Sequence, residues 1–163
     1  MSDMQVGLIG AGRWGPNIIG TLRRVDGASI NHVADLNEDS LRCLNARFGD
    51  LKTTSNPEEL LSNASLNAVA ISTPVTTHLD LVEQALLQGK HVFVEKPFGQ
   101  DHEKCTELCE IAQTNKLSIM VGHVFLFNSS IRELKKIIDS GELGEIQHLE
   151  AHRTNLGPAR KDV

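Results

Sequence analysis

Long apolar runs are missing from this sequence, and none approaches the roughly 20 residues that a membrane-spanning helix needs. A membrane protein is not expected. A basic start followed by a small-residue cleavage site is missing too, so no targeting segment is legible ahead of the apolar stretch that leads from Met1 into a glycine-rich turn. Positive charge is scarce: 16 Lys and Arg stand against 21 Asp and Glu, for a formal net charge of -5, and the basic residues occur singly or in pairs such as Arg23-Arg24 and Lys135-Lys136. Such a surface repels a phosphate backbone, which sets nucleic acid aside as a partner. Cysteine is nearly absent: Cys43, Cys105 and Cys109 make an odd set without the Cys-x-x-Cys spacing of zinc ribbons or thiol redox sites. No metal site is expected, and a reducing, cytoplasmic setting is the simplest reading. Cys105 and Cys109, one helical turn apart and in register with Leu108 and Ala112, read as core side chains. Internal repeats, low-complexity tracts and flexible linkers are also lacking.

What is present is alternation. Gln5 to Ile9, Ser29 to Ala34, Ala68 to Ser72, His91 to Glu95 and Ser118 to Gly122 read as strands, with a weaker one near Leu51 to Thr54. Between them Pro16 to Val25, Glu38 to Phe48, Thr76 to Gln88 and His102 to Thr114 carry apolar residues at helical spacing, and Pro57 opens a short helix. Asn37, Thr76 and Asp101 suit helix starts, while Gly27, Gly49 and Gly89 fall where helices end. This rhythm predicts an α/β fold, a doubly wound parallel Rossmann sheet in the order 3-2-1-4-5-6 over residues 1–123. Residues 124–163 then hold a connecting helix, with Ile131, Leu134, Ile137 and Ile138 on one face, and a strand-like run from Ile146 to His152. They are expected to be only the start of a second, α+β domain for substrate binding and oligomerisation.

The first strand runs into Gly10-Ala11-Gly12-Arg13-Trp14-Gly15. In a strand-turn-helix setting this pattern lets the backbone turn tightly, approach a pyrophosphate and pack the next helix closely, with the helix N-terminus aimed at the phosphates. Pro16 is tolerated in a first turn, where its missing N–H would have no intrahelical partner. Asp35 closes the second strand roughly 20 residues on, where a carboxylate binds adenosine ribose hydroxyls and repels the 2'-phosphate of NADP. NAD is therefore the expected cofactor, with NADP disfavoured. Capping the following helix is the other reading of Asp35, although Asn37 suits that task equally. Thr73-Pro74, with His78 beyond them, and Glu95-Lys96-Pro97 follow the fourth and fifth strands, on the edge where such sheets bind ligands.

On Gly10 to Gly15, Asp35, Thr73-Pro74 with His78, and the run Gly89 to Pro97, the sequence resembles the glucose-fructose oxidoreductase, inositol dehydrogenase and MocA family, abbreviated Gfo/Idh/MocA. The resemblance implies an NAD(P)-dependent oxidoreductase acting on the CH–OH group of a sugar or related polyol, with Lys96 beside the nicotinamide as catalytic residue. An amine there holds the substrate oxygen and relays its proton. A solvated Lys96 paired with Glu95 is the plainer alternative. Arg13, Trp14, Glu95, His78 and His123 join the expected cofactor site: Trp14 as a cover, His78 as a stacking or helix-lining residue, and His123 at the end of the sixth strand. His91 reads as structural. The stretches Gly122 to Asn128 and Arg153 to Gly157 resemble the branch that oxidises nucleotide-linked amino sugars, which implies a sugar or nucleotide-sugar substrate and a homo-oligomer when complete. Two other readings stay open. One is a non-catalytic dinucleotide-binding regulator of the same fold; the other is a methyltransferase using S-adenosylmethionine, which gives no reason for Glu95-Lys96-Pro97.

Overall fold

A computed structural model of the chain describes residues 3–152 and Thr154. Six strands, β1 (Met4–Ile9), β2 (Ala28–Ala34), β3 (Lys52–Thr54), β4 (Ala68–Ile71), β5 (His91–Val94) and β6 (Ile119–Val121), form one sheet in the order β3-β2-β1-β4-β5-β6. Every pairing in it is parallel. Helices α1 (Gly15–Leu22), α2 (Glu38–Phe48), α3 (Pro57–Leu61), α4 (His78–Leu87) and α5 (His102–Thr114) alternate with the strands, and α6 (Ser129–Asp139) follows β6.

Side chains two apart on a strand share a face, and here the alternation sorts them into two cores. Val6, Leu8, Ala68 and Ala70 face the side that buries Ile19 of α1 with Leu41 and Leu44 of α2. Ile9, Val69, Ile71, Val92 and Val94 face the side of Leu60 and Leu61, Val82, Ala85 and Leu86, and Leu108 and Ala112. Covered on both faces, the central strands read as unbroken apolar runs.

Local chemistry sets the helix ends. Asn37 accepts from the amides of Asp39 and Ser40, Asn56 from Glu58 and Asp101 from Lys104, while Gly49 closes α2 with φ of 80°. Thr76 does not cap α4: Val75–Thr77 form a 3-10 turn and the helix begins at His78, because Pro74 is extended and the chain must turn before it can wind. The core reading of the cysteines is also corrected. Cys109 and Cys43 are exposed and Cys105 is half-buried. At 3.6 residues per turn Cys109 lies about 100° round α5 from Leu108, outside the sector that Leu108, Ile111 and Ala112 bury.

The chain divides into two compact units, Met1–His123 and Val124–Val163. In the second, α6 is capped by Asn128, which accepts from Ile131 N. Residues 146–152, expected as a strand, are irregular, since among the described residues no neighbour offers them a ladder. Of the run Arg153 to Gly157, all but Thr154 lies outside the described residues.

Candidate cofactor site

Register decides what stands together at the carboxyl edge of the sheet. Thr54 pairs with Ala34, Ala34 with Ile9, Ile9 with Ile71, Ile71 with Val94 and Val94 with Val121. The residues that come next, Ser55, Asp35, Gly10, Ser72, Glu95 and Gly122, therefore form one row. Strand order reverses between β1 and β4, so the crevice of a doubly wound sheet opens between the exits at Gly10 and Ser72.

The glycine-rich turn is fixed by close contacts. Gly10 has φ of 105°, and a Cβ there would lie 2.6 Å from the carbonyl oxygen of Ser72. A Cβ on Gly15 would lie 2.8 Å from Gly10 O, which is how closely α1 returns onto the end of β1. Gly12 is different: within 4 Å of its Cβ position there is no protein atom, so the turn is open on that side. Helix α1 carries no side-chain cap and no acidic residue in its first turn, whereas each of α2 to α6 has at least one of the two. Its positive end is left for an anion from outside the chain. Arg13 and Trp14 are exposed beside it, Trp14 at 46%.

Asp35 is half-buried, and its two oxygens are both used: Oδ2 accepts from Ala11 N at 2.6 Å and Oδ1 from Asn37 N at 2.7 Å. The carboxylate thus fastens the glycine-rich turn to the exit of β2, while Asn37 does the helix capping. A carboxylate keeps lone pairs beyond these two bonds, so Asp35 can still accept from a hydroxyl.

On the other side of the crevice Ser72 Oγ donates to Gly10 O at 2.8 Å, and Thr77 Oγ1 lies 2.7 Å from Thr73 Oγ1. Pro74 is exposed and Thr73 half-buried. Lys96 is exposed at the exit of β5, before a cis peptide bond to Pro97, and among the described residues it has no ion pair, with Glu95 or any other carboxylate. Glu95 is half-buried and stands against Gly122, whose Cβ position is 3.2 Å from Glu95 Oε2. His123 is exposed at the end of the row.

The ring of His78 is 1% exposed, with Nδ1 2.8 Å from Pro97 O and Nε2 2.9 Å from Thr73 O. It has no free face on which a cofactor could stack, so the stacking role gives way to one beneath the loops. Sequence reading placed Ser72 at the end of the fourth strand but missed its bond to Gly10 O and the bond from Ala11 N to Asp35, because neither carries a local pattern: both depend on which strands become neighbours. Lys90, 3% exposed, was also missed. Its ammonium donates to Asn63 O and Leu66 O, and burial pushes its pKa below the usual lysine range.

The residues present fit a dinucleotide: an uncapped helix end, an open side at Gly12, an acceptor at Asp35 and an exposed amine at Lys96, all on one sheet edge. Comparison with known proteins agrees. The family described as an oxidoreductase family with an NAD-binding Rossmann fold, Gfo/Idh/MocA, matches residues 4–123. An inositol 2-dehydrogenase of Burkholderia lata is 33% identical over 155 residues, which cover 92% of this chain and 46% of that protein. The structure of scyllo-inositol dehydrogenase from Lactobacillus casei with bound NAD(H) and scyllo-inositol is 27% identical, with a TM-score of 0.78 over 88% of this chain and 43% of that one. A 3-ketoreductase from Actinomadura kijaniata, in complex with NADP and TDP-benzene, is 25% identical with the same TM-score, over 86% and 43%. The chain thus spans under half the length of these relatives. With its sheet order, glycine-rich turn and match over residues 4–123, it belongs to the Gfo/Idh/MocA oxidoreductase family and carries that family's NAD-binding Rossmann fold.

Proposed function

We propose that the chain is the cofactor unit of an NAD-dependent oxidoreductase that interconverts a ring hydroxyl and a ketone on a sugar, nucleotide sugar or cyclitol. The observation that carries this reading is Lys96: an exposed amine, without an ion pair among the described residues, on the same sheet edge as the open glycine-rich turn and Asp35. A regulator that only bound the dinucleotide would have no chemical use for that amine.

In this reading the amides of Gly12, Arg13 and Trp14 and the end of α1 hold the pyrophosphate, and Trp14 covers it. Asp35 accepts from the adenosine ribose hydroxyls and disfavours a 2'-phosphate. Thr73, Pro74, Glu95 and His123 line the nicotinamide side. When bound, NAD supplies the hydride acceptor. Lys96 holds the substrate oxygen, and as the carbinol carbon loses hydride the hydroxyl proton passes to the lysine amine, leaving a carbonyl.

Residues 124–163 are read as the connecting helix and the beginning of a substrate and oligomerisation domain. Ile131, Leu134 and Ile137 of α6, each more than a third exposed, suit burial against further chain. No helix among the described residues is long and apolar enough to cross a membrane. A cytoplasmic protein suits three unpaired cysteines.

The test is reduction of NAD, followed by its near-ultraviolet absorbance, with a panel of inositols, sugars and nucleotide sugars. It uses the complete protein and its Lys96→Ala variant. Turnover that vanishes in the variant while NAD still binds supports the reading. No turnover with any polyol, or turnover unchanged by the substitution, contradicts it.

A further inference from the structure

Two polar side chains are buried among the described residues, Lys90 and His78. Lys90 has an evident structural use in holding the turn before β4. His78 has a less usual arrangement, because both ring nitrogens meet backbone carbonyl oxygens, Pro97 O at 2.8 Å and Thr73 O at 2.9 Å. A carbonyl oxygen can only accept. One ring N–H donates to one of these carbonyls while the other carbonyl closes over the opposite edge of the ring, and at 1% exposure the imidazole is held between the two loops.

These two contacts join separate loops. Thr73 follows β4 and Pro97 follows β5, and among the described residues the bond to Pro97 O is the only hydrogen bond recorded for residues 96–100. Packing supports the same join. A Cβ on Gly99 would lie 2.5 Å from Leu79 Cδ2, and Phe98 and Leu79 both rest on the core cluster beneath. We propose that His78 is a positioning residue that ties the Lys96 loop to the Thr73 loop and so sets where Lys96 stands at the nicotinamide end of the cofactor. The proposal rests on the cofactor reading above for its consequence, while the tie itself does not.

Nitrogen NMR of the wild-type chain, labelled at histidine, tests the tie directly. A ring N–H of His78 that exchanges slowly with water is expected, and exchange as fast as that of a solvent-exposed histidine would overturn the tie. The consequence is tested by binding NADH and ADP-ribose to wild type, His78→Ala and His78→Gln. ADP-ribose lacks the nicotinamide, so its affinity should change by less than about twofold. The emission change of the dihydronicotinamide on binding should be lost in His78→Ala and partly restored in His78→Gln, whose amide can donate to one of the carbonyls. Retention of the full emission change, or a parallel loss of ADP-ribose affinity, would overturn the positioning role. If wild type bound neither ligand, the cofactor reading would fail, and the NMR result would still decide the tie. Thermal melting of each variant separates loss of fold from loss of position, and if His78→Ala does not fold, His78→Gln carries the comparison.

Discussion

Asp35 does two things that a motif reading separates: it is placed to accept from a ribose, and it already holds Ala11 N and Asn37 N. Replacing it with alanine would loosen the glycine-rich turn as well as remove the charge, so Asp35→Asn is the cleaner probe. Wild type should bind NAD more tightly than NADP, and Asp35→Asn should narrow that preference by about 1 to 3 kcal/mol as the charged acceptor becomes neutral. Protein fluorescence titrations with both cofactors check it, and equal affinities in wild type would remove the assignment. Lys96 is exposed and has no ion pair among the described residues, so its removal should spare the fold. In the complete protein Lys96→Ala should lower kcat about 100-fold or more, as expected for loss of acid-base help, with NAD affinity within about threefold of wild type. At this scale the sequence was informative where chemistry is local: the turn at Gly10 and the caps at Asn37 and Asp101 could be read from their neighbours, whereas the role of Asp35 was proposed from the strand-turn-helix pattern and that of Lys96 from the family resemblance. It was silent on the bond of Ser72 to Gly10, on Lys90 and on the true place of His78, because their partners, Gly10, Asn63, Leu66, Thr73 and Pro97, include residues brought near only by strand order.

Among the elements, the turn between β1 and α1 allows a sharp comparison. Gly15→Ala forces a Cβ within 2.8 Å of a backbone oxygen, while Gly12→Ala places one in open space. The first should cost roughly 1 to 3 kcal/mol of stability through overpacking. The second should change stability by less than about 0.5 kcal/mol yet weaken dinucleotide binding, since the open side is where a pyrophosphate would approach. Urea denaturation beside NAD titration separates the two, and a Gly12→Ala variant that binds NAD normally would move the pyrophosphate elsewhere. Near β4, Lys90→Met leaves Leu66 O without its ammonium donor, while Asn63 O keeps the amide of Leu66. It should destabilise the domain by about 1 to 3 kcal/mol, the cost of a buried acceptor left unsatisfied; an unchanged urea midpoint would show that water replaces the ammonium. The elements themselves were legible because apolar period and turn chemistry agree along the chain. Two expectations failed for lack of tertiary context. Periodicity alone placed Cys105 and Cys109 on the apolar face of α5, but the sheet meets that helix on a sector centred on Leu108. Residues 146–152 alternate like a strand, and alternation without a partner does not make one.

For the whole molecule, holding a cofactor and acting on a substrate are separate requirements. The row from Ser55 to Gly122 and the turn at Gly10 to Gly15 lie within the first compact unit, so the proposed cofactor site is expected to need only that unit. Substrate orientation is a separate requirement, and loose positioning forfeits much of the several kcal/mol that a held reaction geometry contributes. These 163 residues should therefore bind NAD and reduce it slowly or not at all with polyols. Calorimetric titration of the chain with NAD, run in parallel on Gly12→Ala, is the most direct measurement. The account predicts one NAD per chain for wild type and at least about tenfold weaker binding for the variant. Absence of binding by the folded wild-type chain, or equal binding by Gly12→Ala, would contradict it.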